Sequence, residues 1–154
     1  MKKIFIIITL CIFSFTQAKA ICMSDDDLMD YAIVTYMETS WAAMDACMER
    51  VPNYDYTIYE KFVVQFKDLT HTSDKYLNAY FKKQYGNQWK QKKKDYLEVI
   101  VNDYKINVIE KMDMQDLCKR LNNSSQKYIE KGQEAFLIDI GSMAGQIRKE
   151  IPKC

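Results

Sequence analysis

The chain has 154 residues, and its 22 lysines and arginines against 21 aspartates and glutamates leave a net charge of +1. Such a neutral balance gives no reason to expect non-specific attraction to nucleic acid or to an anionic lipid surface. The length is typical of one domain, and the single histidine argues against metal clusters that need several imidazole ligands.

The N-terminal segment has the pattern of an export signal. Lys2 and Lys3 provide a positive start, and the apolar stretch IFIIITLCIFSF covers Ile4–Phe15. This stretch is shorter than the roughly 20 apolar residues that a membrane-spanning helix needs. Ala18 and Ala20 then form a small-x-small pattern that suits cleavage after Ala20.

Cleavage at this point predicts a signal peptide over residues 1–20 and a single helical domain over residues 21–154. Lipid attachment would need a small residue before the modified cysteine, whereas Cys22 follows Ile21. We therefore expect a periplasmic or secreted protein with no membrane anchor after signal cleavage.

Loss of the signal peptide would remove Cys11 and leave an even number of cysteines: Cys22, Cys47, Cys118 and Cys154. An even number in an exported chain favours two disulfides, because the compartment is oxidising. Zinc sites commonly use close C-x-x-C pairs, whereas tens of residues separate these cysteines. The cysteines are therefore predicted to be structural, and we expect no metal or other cofactor.

The first helix is predicted from about Ser24 to Arg50. Ser24 is a suitable N-cap, and Asp25–Asp27 would place carboxylates at the positive end of the helix dipole. Apolar residues then recur every three or four positions until Val51–Asn53 ends the pattern.

A second apolar stripe runs from Tyr59 to the turn at Gly86. Its polar cluster THTSD, Thr70–Asp74, contains good capping residues and predicts a kink or a split in this helix. A third pattern extends from Trp89 to Val108. It is too long for an ordinary strand, and we interpret it as a helix despite its valines and isoleucines.

A fourth helix is predicted from an Asp113 cap to Gly132. The last stretch, QEAFLIDIGSMAGQIRKEI, is also interpreted as helical, although Gly141 and Gly145 interrupt it. Together these patterns predict an all-α fold, a four- to five-helix up-down bundle tied by disulfides.

The bundle topology suggests which cysteines pair. Cys47 lies at the end of the first helix and Cys118 near the start of the fourth, so both would lie at the same end of the bundle. Cys22 and Cys154 then pair by elimination. A last helix that descends after Gly132 would instead leave Cys154 at the other end.

Candidate catalytic and metal-binding groups are few. His71 is interpreted as a surface or capping residue rather than a general base, since no second imidazole accompanies it. Asp25–Asp27 with Asp30 lack the alternating ligands of a calcium loop. Met112 and Met114 could bind copper(I) through soft thioethers, which makes copper(I) binding a third functional alternative.

The second alternative is a small cell-envelope enzyme that uses a carboxylate pair. Its candidate residues are Glu38, Glu49, Glu60 and Glu98, which could meet in space without a sequence signal. No spacing singles these glutamates out, and the sequence has no G-x-S-x-G motif, no P-loop and no cysteine-histidine signature. We therefore predict that the protein is not an enzyme.

Tyrosines and lysines suggest an interaction surface. Tyr54 and Tyr56 lie in the stretch PNYDYTIY, and tyrosine is suited to interfaces because it buries area and keeps a hydroxyl. Lysines cluster around Gly86: Lys82, Lys83, Lys90, Lys92, Lys93 and Lys94. We predict that these residues form aromatic anchors with a charged rim; a solvated face is the alternative for the lysines.

The stretch DACMERVPNYDYTIYEKFVVQF, Asp45–Phe66, resembles a loose set of small exported bacterial all-helical proteins, mostly uncharacterised. The shared features are Cys47, the Pro52 turn, an aromatic-rich long helix and a later cysteine partner, here Cys118. The resemblance implies a disulfide-tied helical bundle and carries no catalytic residues to this chain.

By analogy with helical periplasmic immunity proteins, we expect a non-enzymatic protein-binding module that neutralises a toxin or an enzyme. Its partner would be another envelope protein or an incoming protein rather than nucleic acid.

Overall fold

The computed structural model describes residues 21–154, and the predicted signal peptide with Cys11 lies outside this part of the chain. Every regular element of the described residues is helical, so the all-α fold class is confirmed. The α-helices are α1 (Asp25–Arg50), α2 (Thr57–Tyr85), α3 (Trp89–Tyr104) and α4 (Met114–Ile147). A 3-10 turn, Gly86–Gln88, joins α2 to α3, and a π-helical turn, Lys105–Ile109, follows α3. Within residues 21–154, no helix combines the length and the apolar character needed to cross a bilayer.

The predicted number of helices is wrong, because the expected breaks contain almost no non-helical residues. Residues 57–109 are helical throughout, and residues 114–147 form one joined helix. The described chain therefore has three continuous helical runs rather than four or five helices. α2 also continues through Thr70–Asp74, where a kink or split is predicted. Thr70 Oγ1 donates to the Phe66 carbonyl at 2.9 Å, so its hydroxyl is satisfied inside the helix.

Two glycines let the chain change direction inside these runs. Gly86 has φ 54° and ψ −127°, and Gly132 has φ 77° and ψ −174°. Glycine adopts such positive φ values readily because it has no Cβ. After the first turn α3 packs back on α2, and the rings of Phe81 and Tyr96 lie 5.7 Å apart.

α1 begins at a capping box. The Asp27 N–H donates to Ser24 Oγ at 3.1 Å, and the Ser24 N–H donates to the Asp27 carboxylate at 3.3 Å. Farther along, adjacent residues such as Ile33 and Val34 are both buried, which indicates that other elements cover α1 on more than one face. α2, α3 and α4 all pack against it. α1 is therefore the central helix of the fold.

An aromatic cluster holds α1, α2 and α4 together. Tyr36 packs edge-on against Phe136 with ring centroids 5.3 Å apart, and Phe66 lies 4.9 Å from both Phe62 and Phe136. Burying a large side chain of this kind contributes about 1.5–3 kcal/mol. The cluster accordingly anchors α4 on the other two helices.

Two disulfides are present, with the same partners as in the prediction. Cys47, near the end of α1, is bonded to Cys118 at the start of α4, and Cys22 is bonded to Cys154. The chain after α4 returns to the start of α1, where the Met23 N–H donates to the Pro152 carbonyl at 3.1 Å. The last helical segment therefore does not leave Cys154 at the far end.

Candidate functional site

The main concave feature of the described chain is a cleft between α1, α3 and α4. Its volume is about 1370 Å³, which exceeds the roughly 300–1,000 Å³ that is common for small-molecule sites. α3 packs against α1 and α2 but not closely against α4. The gap between α3 and α4 is the cleft.

α1 supplies the floor through side chains at four-residue spacing. Tyr31, Thr35 and Thr39 form one row, and Tyr36 and Ser40 belong to the adjacent row. Residues four apart lie on the same face of an α-helix, which explains why these groups share one surface. Each carries a hydroxyl, so the floor offers hydrogen bonds without charge.

α3 and the π-helical turn supply a wall of aliphatic and aromatic side chains: Tyr96, Val99, Ile100, Tyr104 and Val108. No residue of the range Trp89–Tyr104 is buried, and Val99 is 68% exposed. Tyr96, Ile100, Tyr104 and Val108 are half-buried against the core and leave the rest of their apolar surface open to the cleft, where it is available to a ligand.

α4 and the chain ends complete the cleft. Besides Arg120, Ser124 and Glu150, their contribution is apolar, and it comes from both sides of the Gly132 bend and from the region of the Cys22–Cys154 disulfide: Leu117, Leu121, Met143, Ile147, Ile21 and Ile151. The interior of the cleft thus combines aliphatic surface with the neutral hydroxyls of α1.

Charged groups of the cleft lie at its rim. Asp103, Arg120 and Glu150 are exposed, and Lys92 and Asp95 are half-buried. Cations and anions nearly balance in this set, so the rim does not select strongly for one sign of charge. Selectivity for a ligand would have to come from the interior.

Thr35 lines the cleft and carries an unpaired hydroxyl that is buried beneath the cleft surface. It is 5% exposed, and its Oγ1 has no hydrogen-bond partner among the described residues. A helical threonine commonly donates to a carbonyl of the preceding turn. Thr39 does so, to the carbonyls of Thr35 at 2.9 Å and Tyr36 at 3.0 Å. A buried hydroxyl left unpaired costs about 1–3 kcal/mol, so a ligand atom that paired with Thr35 would recover stability.

Three tyrosines of the cleft, Tyr31, Tyr36 and Tyr104, remain neutral at ordinary pH. Burial raises the pKa of Tyr31, Tyr36 and Tyr104 above the usual value for a phenol. The nearby Thr35 hydroxyl limits the increase in the pKa of Tyr31. Among the described residues, however, no atom is placed to form a hydrogen bond with Thr35 Oγ1. These phenols can therefore donate hydrogen bonds but do not act as bases.

Comparisons of this chain with protein-family models, with curated proteins and with solved structures give no match. The resemblance to small exported helical proteins therefore stays a prediction from the sequence.

The residues of the predicted interaction surface lie at opposite ends of α2. Tyr54 and Tyr56 precede this helix, whereas the lysines lie in its last turns or on α3. α2 has 29 residues, and a helix of that length extends about 43 Å. The tyrosines and the lysines are therefore not brought together into one surface.

The two tyrosines also differ from each other. The Tyr54 hydroxyl donates to Asn122 Oδ1 at 2.8 Å, and this bond ties the loop before α2 to α4. Burial raises the pKa of Tyr54. Tyr56 is 40% exposed and remains accessible to a partner. Tyr54 is thus a structural contact, and Tyr56 is the better candidate for recognition.

The lysines divide into three groups. Lys93 pairs with Asp74 and also donates to Asn78 Oδ1 at 2.7 Å, which ties α3 to α2. Lys92 lies at the rim of the cleft. The remaining lysines are exposed on the two sides of the 3-10 turn: Lys82, Lys83, Lys90 and Lys94.

The four glutamates of the enzyme alternative are not brought together. Glu38 and Glu98 line a second, smaller cavity of about 460 Å³ that also contains Lys93, while Glu49 and Glu60 line neither cavity. Glu38 and Glu98 are both exposed, and lysines surround them. The catalytic acid of a glycosidase lies in apolar surroundings, which this cavity does not provide.

The other candidate groups are also separated from one another. His71 is exposed on α2 and lines neither cavity. Within the described part of the chain, no three histidine, cysteine, aspartate or glutamate side chains are placed to hold a metal ion. Met112 lines the cleft and Met114 begins α4, and both pack against the core. Asp25–Asp27 occupy the first turn of α1 as predicted.

Thr35 and the cleft are not predicted from the sequence. A signal is present in the stretch YAIVTYMETS, where hydroxyl side chains recur at four-residue spacing in Tyr31, Thr35 and Thr39. Such a row within an otherwise buried helix indicates a surface that is polar but not solvated. The sequence does not indicate which helices stand apart from that surface.

Proposed function

We propose that this protein is an exported, non-enzymatic binding protein whose cleft between α1, α3 and α4 holds an apolar ligand. The observation that carries the proposal is the cleft, with a volume of about 1370 Å³, aliphatic and neutral hydroxyl walls, and charges at its rim. Removal of apolar surface from water contributes about 25 cal/mol per Å². Binding in such a cleft needs no reactive side chain.

The two disulfides support a binding role because they hold two walls of the cleft together. Cys47–Cys118 joins α1 to α4 next to Leu117, and Cys22–Cys154 joins the chain ends close to Ile151. α3 has no disulfide and no buried residue. A fixed pair of helices facing a loosely packed third one would let a ligand enter by displacement of α3.

The proposal requires an oxidising compartment. Disulfides persist in the bacterial periplasm and outside cells, where thiols are not kept reduced. The export pattern of residues 1–20 supports the same compartment. In this proposal the protein acts in the periplasm or as a secreted protein, and its cleft shields an apolar molecule from water.

Uptake of N-phenyl-1-naphthylamine, a neutral apolar dye that fluoresces away from water, tests the proposal. Ile100→Trp places a large ring on the wall of the cleft. Val64→Trp is the matched control, because Val64 is 74% exposed on α2 and does not line the cleft. We expect saturable uptake by the native protein and by the control, and binding weakened about fivefold or more in Ile100→Trp. Equal binding by all three proteins, or no saturable binding, would contradict the proposal.

A second candidate function is neutralisation of a toxin or an enzyme by direct protein contact. Trp41 is 43% exposed and packs edge-on against Tyr59 with centroids 5.5 Å apart, and Tyr56 is exposed just before α2. Tryptophan and tyrosine are enriched in binding hot spots. Capture of a partner from envelope extracts that is lost in Trp41→Ala but retained in Ile100→Trp would favour this candidate over the cleft.

A further inference from the structure

We infer that the occupant of the cleft is an uncharged long-chain amphiphile, of the monoacylglycerol type, whose hydroxyl or ester group hydrogen-bonds to Thr35. This inference rests on the proposed function and adds the charge, the length and the polar contact of the ligand. Three features support this ligand: the unpaired hydroxyl of Thr35, the uncharged interior of the cleft and the length of its floor.

Thr35 supplies the polar contact. It lies on the floor of the cleft and is 5% exposed, and its Oγ1 is buried and unpaired among the described residues, so a ligand pairs with this oxygen once the side chains that cover it move slightly aside. Tyr31 and Thr39 lie one turn away on either side, so the unpaired oxygen belongs to the interior of the floor rather than to an end. A hydroxyl both donates and accepts, and it therefore suits an alcohol or an ester carbonyl of a ligand.

The interior favours a ligand without charge. None of the charged side chains that line the cleft is buried, and burial holds the phenols of Tyr36 and Tyr104 in their neutral form. A carboxylate or phosphate carried to Thr35 would lose its hydration with no cation beside it, which is strongly unfavourable. A neutral hydroxyl or ester loses less hydration and gains a hydrogen bond to Thr35.

The length of the floor favours an extended chain. Between Tyr31 and Ala43, which both line the cleft, α1 advances about 18 Å along its axis. Aliphatic side chains recur on the facing walls over this length, from Ile147 near the chain ends to Leu117 near the Cys47–Cys118 disulfide. A long aliphatic chain would cover these side chains, whereas a compact ligand would leave much of the cleft solvated.

The first test compares ligands that share one oleoyl chain and differ in the charge of the head group. The oxidised full chain is titrated with 1-monooleoylglycerol, oleate and oleoyl lysophosphatidylglycerol, each by displacement of N-phenyl-1-naphthylamine. We expect 1-monooleoylglycerol to bind about tenfold more tightly than either anion. Binding of either anion as tightly as the glyceride overturns this inference and leaves the proposed function in place, since the dye still enters the cleft. Absence of both dye and glyceride binding overturns the two together.

The second test removes the Thr35 hydroxyl. Thr35→Val keeps the volume of the side chain, and it should fold at least as well as the native protein because the lost hydroxyl is unpaired. Thr70→Val is the matched control, since Thr70 lies on α2 outside the cleft and donates to the Phe66 carbonyl. We expect Thr35→Val to weaken binding of 1-monooleoylglycerol about tenfold and binding of the dye much less, and Thr70→Val to alter neither. Unchanged glyceride affinity in Thr35→Val, or an equal loss of dye binding, overturns the role of Thr35.

Discussion

Tyr128 donates a hydrogen bond to the Asp139 carboxylate at 2.8 Å across the bend at Gly132. In a straight helix, positions eleven residues apart would lie about 16 Å from each other along the axis. The contact therefore requires a sharp change of direction, and Gly132 supplies it with φ 77° and ψ −174°. Because of this bend, the second half of α4 returns to the fold and presents Met143 and Ile147 to the cleft.

Replacement of Gly132 tests this bend. Space is available for a Cβ, but the φ of +77° is unfavourable for any residue with a side chain. We expect Gly132→Ala to lower the free energy of unfolding by about 1–3 kcal/mol in thermal or denaturant unfolding. Gly145→Ala is the control: it also has open space, lies on the same helix without a positive φ, and should stabilise by about 0.5–1 kcal/mol. An equal free energy of unfolding in Gly132→Ala and Gly145→Ala would contradict the positive φ at Gly132.

Tyr59 offers a test of buried polar groups. Its hydroxyl is buried without a hydrogen-bond partner among the described residues, and burial raises its pKa. Tyr59→Phe should therefore leave the free energy of unfolding unchanged or raise it by about 1 kcal/mol. Tyr128→Phe is the contrasting variant, because it removes the bond to Asp139 and should cost about 1 kcal/mol. Greater destabilisation in Tyr59→Phe than in Tyr128→Phe would show that the Tyr59 hydroxyl is satisfied.

Local features of the fold are predictable from the sequence because they depend on neighbouring residues. Ser24 and the aspartates after it specify the start of α1 through the capping box, and Arg50 ends that helix as predicted. The disulfide Cys47–Cys118 is also predictable, because the helix ends bring both cysteines to the same place in any antiparallel packing of these elements.

Neither the connections between the helices nor the cleft can be predicted from neighbouring residues alone. α2 ends at its Gly86 C-cap as expected, but a 3-10 turn then joins it to α3 without a non-helical residue. The apolar stripe of α3 predicts a buried face, whereas Tyr96, Ile100 and Tyr104 of this stripe are only half-buried and line the cleft. An apolar stripe has the same pattern whether it faces a core or a cavity, so only the packing of distant segments distinguishes the two.

The two disulfides should contribute unequally to stability. Loop entropy favours the outer bond Cys22–Cys154 by only a few tenths of a kcal/mol, because the loop term grows slowly with length. Cys47 and Cys118 are 0% and 4% exposed, so their replacement also loses packing. We expect the Cys47→Ala and Cys118→Ala double variant to lose about 2–4 kcal/mol, and the Cys22→Ala and Cys154→Ala variant to lose less. Thermal unfolding of both proteins checks this order, and the reverse order would contradict it.

Acid should loosen the junction of the chain ends. Hydrogen bonds and charge from Lys153 and Arg148 lower the pKa of Asp25 below 3.8. A carboxyl whose pKa is lower in the folded state stabilises the fold above the unfolded pKa, and this stabilisation is lost as the pH falls through the folded pKa. The difference in melting temperature between the native protein and Asp25→Asn should therefore be constant above about pH 5 and shrink below 3.8. Asp26→Asn is the control in the same helical turn, and an equal pH dependence in that variant would exclude the junction as the cause.

α3 should be the least protected of the helical segments α1–α4 against hydrogen exchange. None of its residues is buried, whereas α1 and α4 carry buried residues along their length and are joined by Cys47–Cys118. Local opening of α3 therefore exposes little apolar surface and costs less free energy than opening of α1. Exchange measured by mass spectrometry should be faster over residues 89–104 than over residues 25–50, and it should slow on addition of N-phenyl-1-naphthylamine. At the same dye concentration this slowing should be smaller in Ile100→Trp, where dye binding is weakened, and unchanged in Val64→Trp. Equal protection of α3 and α1 without ligand would contradict a cleft that opens by displacement of α3.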